Sequence, residues 1–268
     1  CGGCEAVITI RASSLPELFD CSARWEAKHI LNMRMPSSSN AVLGKAVHAG
    51  TALFDHKRLE GNPISADDAA GVVVDSIHRP DEDVDWGEDR PQETEGIALA
   101  LHGMYCNQIA PKQEYVAVEA ACECLEITDI GIALTGTTDR VTKSAKGYGI
   151  ADIKTGKNAV SADGTVKTQG HAAQMAVYEL LAEQSTGIPM DAPSQIIGLQ
   201  VAKTDKGRRA GIGTITGGRD LLLGNGDSPG LLEHASAIIK RGLFPGNPRS
   251  MMCDKKYCPA FERCKWRI

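Results

Sequence analysis

The sequence predicts a mixed α/β protein in which helices and strands pack in layers. Two observations carry this prediction. Before Pro111 the apolar residues recur mainly at helical spacing, and after it they alternate at the period of a strand. A further helix and two more strands then lead to a C-terminal helix. No internal repeat divides the chain, so residues 1–268 are predicted to form a single domain.

The N-terminal third is predicted to be helical. Ser14-Leu15-Pro16-Glu17 has the pattern of a capping box with proline in the first turn, so a helix should begin at Ser14 and carry Cys21 and Trp25. Residues 37–40 are predicted to be a loop. The next helix should cover 41–59 and place Gly44 and His48 on one face, because residues four apart are neighbours on a helix.

Two more helices are predicted over 66–77 and 94–109. Between them, residues 81–95 contain eight acidic residues and one arginine, which predicts a solvated loop.

The strands follow in order. Residues 115–127, 132–142 and 148–154 alternate and are joined by turns, which predicts a three-stranded antiparallel meander. The remaining predicted elements are a helix over 168–184, strands over 195–202 and 211–216, and a helix over 230–241.

Composition excludes several classes of protein. The chain has 268 residues, of which 42% are hydrophobic and 24% charged, so it can bury a core and is not disordered or fibrous. No apolar run approaches the roughly 20 residues of a membrane helix. We therefore expect a soluble, cytoplasmic protein from a bacterium or a phage-infected cell. The net charge of −5 argues against a generally basic surface for nucleic acid, although a local basic groove would not show in that sum.

The nine cysteines point to metal or redox chemistry, because disulfide frameworks are rare inside cells. Cys106, Cys122 and Cys124 lie in predicted helix or strand and are interpreted as buried apolar residues. Cys1 and Cys4 form a terminal C-x-x-C that we leave unassigned. The remaining four are candidate ligands: Cys21, Cys253, Cys258 and Cys264. Four thiolates admit either tetrahedral Zn²⁺ or an iron–sulfur cluster, and spacing alone does not separate the two.

The strongest catalytic signal joins Asp139, within Gly-x-x-Asp, to Asp152-Ile153-Lys154. Alternate residues of a strand share a face, so Asp152 and Lys154 should project together, and the preceding strand can bring Asp139 beside them. Two converging carboxylates repel each other unless a cation lies between them. Carboxylates that hold Mg²⁺ or Mn²⁺ beside a lysine suit phosphodiester hydrolysis, in which the metal activates water and polarises the phosphate. A single Asp-x-Lys is more often a solvated pair, so the assignment depends on its neighbours.

Five motifs occur in a defined order: Gly44-x-x-x-His48, an acidic strand residue, Gly136-x-x-Asp139, Asp152-x-Lys154 and Gln174-x-x-x-Tyr178. This order resembles the RecB-like branch of the PD-(D/E)XK nucleases. With the cysteines added, the chain resembles the iron–sulfur members of that branch, namely CRISPR-associated exonucleases, the AddB nuclease domain and phage exonucleases. The resemblance spans about Ser13 to Trp266.

The resemblance implies roles for individual residues. His48, Asp139, Asp152 and the Ile153 carbonyl would hold the metal, and Lys154 would be the catalytic lysine. Gln174 and Tyr178 would contact the scissile strand or hold a water at the metal site. Glu119 would be an outer or second-metal carboxylate, and an exposed strand residue is an equal alternative for it.

The resemblance also implies a restriction-endonuclease-like mixed sheet flanked by helices, with a 4Fe-4S cluster that joins the N- and C-terminal segments. Segments 13–35 and 240–268 would together form the cluster subdomain, and 41–110 would be a helical insertion carrying His48. Several relatives have two residues where this chain has four between Cys253 and Cys258, which keeps Zn²⁺ as the alternative.

Two basic segments are candidate contacts for DNA. Residues 240–268 contain eight Lys or Arg residues against two acidic ones. The second is a loop whose cations are Lys203, Lys206, Arg208 and Arg209. Solvated surface is the ordinary alternative for both.

Together these features predict a Mg²⁺- or Mn²⁺-dependent DNA exonuclease that acts on single strands or duplex ends, in recombination, repair or phage DNA processing. The alternatives are an endonuclease or a CRISPR-spacer-processing nuclease and, from another class, a noncatalytic DNA-binding protein with a metal cluster. The chain has no phosphate-loop motif, so helicase activity would require a helicase or recombination partner. The sequence does not indicate an oligomeric state.

Overall fold

The computed structural model describes residues 8–267, and their central feature is a five-stranded sheet with the order β10-β9-β8-β7-β4. Strands β8 and β9 are parallel, whereas the other neighbours are antiparallel. A smaller sheet has the order β1-β6-β5, and β2 pairs with β3. The strands are β1 (Ile8–Arg11), β2 (Ser37–Ser38), β3 (Val84–Asp85), β4 (Tyr115–Ala121), β5 (Leu125–Ile127), β6 (Ile132–Thr135), β7 (Thr137–Ser144), β8 (Gly147–Gly156), β9 (Ser194–Gln200) and β10 (Ala210–Ile215).

Helices cover both faces of the central sheet. They are α1 (Leu15–Asp20), α2 (Ser22–His29), α3 (Ser39–Leu59), α4 (Ala66–His78), α5 (Pro91–Met104), α6 (Ala172–Thr186), α7 (Gly218–Leu223) and α8 (Leu231–Lys240). Within the described part of the chain, no helix has both the length and the apolar character that crossing a membrane requires.

The two faces of the sheet belong to separate hydrophobic clusters of described residues. On one face Ile150 packs with Met175 of α6 and with residues of α1 and α8. On the other, Ile153 packs with Val47 of α3 and Leu101 of α5. Because successive residues of a strand point to opposite faces, β8 contributes to both clusters. This mixed α/β arrangement fits the restriction-endonuclease-like fold that the resemblance implies.

The predicted capping box at Ser14 is wrong. A 3₁₀ turn over Ala12–Ser14 leads directly into α1, so Ser14 is already helical and its Oγ donates to the Arg11 carbonyl at 2.9 Å. The predicted single helix is also interrupted, since Cys21 is extended (φ −152°, ψ 96°) between α1 and α2.

Two predicted strands are each divided between two sheets. Residues 115–127 become β4 and β5, and 132–142 become β6 and β7 with Gly136 between them. A Cβ at Gly136 would lie 2.9 Å from the Tyr178 ring, so the close approach of α6 requires glycine there. Cys122 and Cys124 lie between β4 and β5, where the chain passes from one sheet to the other. Cys122 is half-buried and Cys124 is exposed, so the prediction that both are buried is wrong.

Other boundaries shift for local reasons. Helix α6 begins at Ala172 rather than 168 because the preceding residues form a hairpin closed at Val160 and Val166. The predicted loops at 37–40 and 81–95 contribute β2 and β3, which pair with each other, and α5 begins within the second of them. Helix α5 continues as a π-helical turn that contains Cys106, which is buried as predicted.

Candidate active site

Asp152 and Lys154 lie two residues apart on β8, and their side chains meet on one face of the sheet. Lys154 Nζ is 2.6 Å from Asp152 Oδ2, and Asp152 is only 2% exposed. Burial raises the pKa of Asp152 to about 6 even though the Lys154 ammonium opposes the rise. Burial therefore destabilises the ionised form of Asp152 unless a further positive charge lies beside it.

Asp139 lies where β7 and β8 separate. The last backbone pair between these strands joins Arg140 to Ala151, and beyond it the Ile153 amide donates to Asp139 Oδ2 at 2.8 Å. Burial opposes ionisation of Asp139, but the adjacent His48 ring and the Ile153 amide outweigh it, so the pKa of Asp139 is lowered. The separation of the two strands thus places an ionised carboxylate beside Asp152.

His48 reaches this opening from α3. Its Nδ1 is 3.3 Å from Asp139 Oδ2, and its Nε2 is 2.7 Å from the Ile153 carbonyl oxygen. Burial lowers the pKa of His48, but the Asp139 carboxylate outweighs burial and the net pKa is raised. Gly44, one turn earlier, brings α3 close to β8, since a Cβ there would lie 3.1 Å from Thr155 Oγ1. The Gly-x-x-x-His spacing therefore lets α3 pack close to β8 and places the His48 imidazole next to Asp139.

Glu119 completes a group that could hold a cation. It lies on β4 beside Asp139, and its backbone is left-handed (φ 47°), which is uncommon for a residue other than glycine. Ligand atoms of His48, Glu119 and Asp139 all lie within 4.8 Å of one another. Burial and the Asp139 charge raise the pKa of Glu119. A divalent cation would relieve this repulsion, and carboxylate oxygens are the ligands that Mg²⁺ and Mn²⁺ prefer, so the residues fit such an ion.

The first half of α6 borders the same centre. The Gln174 Nε2 donates to Tyr178 Oη at 3.1 Å, and both side chains are buried. His171 precedes the helix, three residues before Gln174 and on the same side of α6. Burial, with the charges of Lys154 and Lys167 acting in the same direction, lowers the pKa of His171 to about 4.

A buried polar network lies next to Asp139 and connects β7 to α3. It was not predicted from the sequence. The fully buried Arg140 pairs with Asp55 of α3 (Nε to Oδ2, 2.8 Å) and donates to the Asp139 carbonyl at 2.7 Å. The nitrogen that donates to this carbonyl, Arg140 Nη1, is also 3.5 Å from Glu119 Oε1. The Tyr105 hydroxyl donates to Asp55 as well. Asp55 and Arg140 are 85 residues apart in sequence, so no local motif could identify the pair.

The four candidate cysteine ligands, Cys21, Cys253, Cys258 and Cys264, line one cavity as free thiols. Asn247 N donates to Cys21 Sγ at 3.4 Å, and Trp266 closes one side. Among the described residues, no three of these sulfur atoms lie within 4.8 Å of one another. The fold therefore brings the cysteines to one place without a tight ligand shell. Cys1 and Cys4 lie outside the described residues.

The four cations of the predicted DNA-binding loop lie in different surroundings. Arg208 closes the loop itself, because Nε donates to the Ala202 carbonyl at 3.0 Å and a terminal nitrogen is 2.6 Å from Asp205. Lys206 is exposed, and Lys203 lies 3.9 Å from Glu93. Arg209 instead lines a cavity described below.

A search of curated proteins finds no match. A family model described as the PD-(D/E)XK nuclease superfamily matches residues 10–265, which include every element that forms the candidate active site. The order of motifs, the carboxylates at the strand opening and this match agree, and the chain belongs to the PD-(D/E)XK nuclease superfamily.

Proposed function

We propose that the protein is a Mg²⁺- or Mn²⁺-dependent DNA exonuclease that hydrolyses phosphodiester bonds in single strands or at duplex ends. The observation that carries the proposal is the convergence of His48, Glu119 and Asp139 next to the ion pair of Asp152 and Lys154. Superfamily membership implies a metal-dependent nuclease, and this convergence supplies a place for the metal.

His48, Glu119, Asp139, Asp152 and the Ile153 carbonyl would hold the cation. When bound, the metal supplies a polarised phosphate and an activated water. The separation of β7 and β8 matters here, because it leaves the Ile153 carbonyl free of a partner on β7 and available to the centre.

Lys154 would act on the substrate itself. Its ammonium is fixed by Asp152 at the edge of the centre and is about a third exposed, so it can contact a phosphate without leaving its partner. A fixed cation of this kind stabilises the charge that develops on the phosphate in the transition state. Gln174 and Tyr178 would position the strand from α6.

We further propose that the four cysteines hold a 4Fe-4S cluster that joins segments 13–35 and 240–268. Tetrahedral Zn²⁺ with Zn–S bonds of about 2.3 Å would draw four sulfur atoms to about 3.8 Å from one another. The resemblance to iron–sulfur nucleases favours a cluster, in which each thiolate binds a different iron. Brown protein containing iron and sulfide supports this proposal, whereas colourless protein with stoichiometric zinc contradicts it and leaves the nuclease proposal intact.

Exonuclease action is tested with matched DNA substrates. Linear single strands labelled at either end should shorten progressively in Mn²⁺, and a circular single strand of the same sequence should stay intact. Cleavage of the circle would show an endonuclease. Binding without cleavage of either substrate, in Mg²⁺ and Mn²⁺, would favour the noncatalytic DNA-binding alternative.

A further inference from the structure

A second cationic site lies beyond the catalytic centre. It is a cavity of about 410 Å³ bordered by the hairpin 157–168 and by the ends of β9 and β10. Three cationic side chains line it: Lys157 and Lys167 from the hairpin, and Arg209 from the chain just before β10. Among the described residues, no aspartate or glutamate lines this cavity, and none of the three cations has an ion-pair partner. The nearest acid in the hairpin, Asp163, accepts hydrogen bonds from Ser161 and Thr165 within its own turn.

The hairpin that carries two of these cations is fixed against the sheet. Gln200 of β9 binds the first arm of the hairpin twice, since its Oε1 accepts from Val160 N at 3.0 Å and its amide nitrogen donates to the Lys157 carbonyl. Lys167 N donates to Ala159 O at 2.9 Å and closes the hairpin. The positions of Lys157 and Lys167 are therefore set by the fold.

Glycines of β9 and β10 lie under the hairpin and allow it to pack closely on the sheet. A Cβ at Gly198 of β9 would lie 3.0 Å from the side chains of Val160 and Val166. A Cβ at Gly211 of β10 would lie 2.9 Å from Val166. Both valines are buried, so the hairpin packs directly on the strand backbones and cannot shift to move its lysines apart.

The cavity follows the catalytic centre along the chain. Lys157 lies three residues after Lys154, just past the end of β8 and about 10 Å along an extended chain, and Lys167 lies four residues before His171 at the start of α6. A strand that passes Lys154 along the end of β8 would therefore approach Lys157 and the hairpin.

We propose that Lys157, Lys167 and Arg209 form a backbone-phosphate subsite for the substrate strand, outside the scissile phosphate. This inference rests on the proposed function for the identity of the strand. Unpaired cations in a fixed, carboxylate-free cavity match a polyanion that supplies the missing charges, and the absence of an exposed aromatic among the lining residues points to the phosphates rather than the bases.

The test measures binding and needs no cleavage. The affinity of the full protein for a labelled single-stranded oligonucleotide is measured with Ca²⁺ at several salt concentrations. Each phosphate neutralised on a single strand contributes about 0.7 to the slope of log affinity against log salt. The variant K157A/K167A/R209A should have a slope smaller by about 2 and a correspondingly weaker affinity at low salt. An equal slope in the variant and the wild type would overturn the proposal.

A matched control removes the same charge at the other end of the sheet. Lys112, Lys143 and Lys146 lie near the start of β4 and the turn between β7 and β8, so K112A/K143A/K146A should keep the wild-type slope. An equal loss of slope in both triple variants would also overturn the subsite, because net charge would then explain it. A second probe, an oligonucleotide with an uncharged methylphosphonate backbone, should bind wild type and K157A/K167A/R209A alike. Unequal binding of that probe would exclude phosphate charge as the ligand.

This outcome is independent of the catalytic proposal. Protein that cleaves no DNA but shows the difference in slope would retain the subsite and contradict the nuclease function. Active protein without that difference would retain the function and contradict the subsite.

Discussion

The catalytic centre and the cysteine site are held together by different means. Asp139 and Asp152 lie on strands and are almost fully buried. Asp139 accepts from the Ile153 amide of β8, and the ion pair of Arg140 with Asp55 connects β7 to α3. Three of the four cysteines lie beyond α8, where the described chain has no regular element except a 3₁₀ turn over Phe261–Arg263. A few polar contacts hold that segment to the N-terminus, among them Arg24 Nε donating to the Tyr257 carbonyl at 3.1 Å.

This difference shows which geometry depends on a ligand. Packing and buried polar contacts can fix the catalytic side chains before any metal binds, because two hydrophobic clusters hold the strands and helices that carry them. The C-terminal segment buries little of its own surface, so its arrangement should depend on what the cysteines bind. The following predictions test that distinction.

The largest expected effect on stability comes from the network behind the carboxylates. Asp55→Ala removes the partner of the fully buried Arg140 and should lower the free energy of unfolding by about 3–5 kcal/mol. Chemical denaturation measures this loss. Asp75→Ala, which removes an exposed carboxylate paired with Arg79, is the control and should leave stability nearly unchanged. Similar small losses in both variants would mean that the buried pair does not support the centre.

Loss of a cysteine ligand should act locally. Cys258→Ala should release the bound metal and accelerate trypsin cleavage after Lys255 or Lys256 by about tenfold or more, while the sheet stays folded, because local opening needs no global unfolding. Fragments identified by mass spectrometry report the cleavage sites. Cys124→Ala removes an exposed cysteine elsewhere and should change neither quantity. Equal protection of the C-terminal segment in the two variants would contradict a ligand-dependent segment.

The smallest effect is a pH dependence of the catalytic metal. Burial raises the pKa of Asp152 to about 6, so its carboxyl binds a proton as the pH falls through 6 and that proton competes with the cation. Between pH 7 and 6 the ionised fraction of Asp152 falls about twofold, and Mn²⁺ affinity should fall at least as much. Protonation of His48, whose pKa is raised by Asp139, acts in the same direction. Calorimetry at the two pH values tests this, and constant affinity would contradict the raised pKa.

Local patterns predicted the elements that carry the centre. Helical spacing placed Gly44 and His48 on one face of α3, and strand alternation placed Asp152 and Lys154 together. These relations depend only on the repeat of a helix or a strand. The sequence also indicated Glu119, although nothing in it signalled the left-handed backbone found there.

Other features depend on contacts between distant residues. The division of two predicted strands between two sheets left the alternating pattern intact, so no local signal marked the crossing at Gly136. The pairing of Asp55 with Arg140 and the seating of the hairpin 157–168 on glycines of β9 and β10 also arise only in the folded chain. The charge of Arg208 is visible in the sequence, whereas its ion pair with Asp205 within the loop is not.

The most direct test of the catalytic assignment compares wild type with Lys154→Met on a linear, end-labelled DNA in Mn²⁺, with Mn²⁺ binding measured on the same samples. In the proposed mechanism Lys154 contacts the phosphate and is not a metal ligand. We expect that the variant binds Mn²⁺ and stays folded, while its cleavage rate falls by roughly 10²–10³. Cleavage at the wild-type rate by the folded variant would contradict the assignment of this centre.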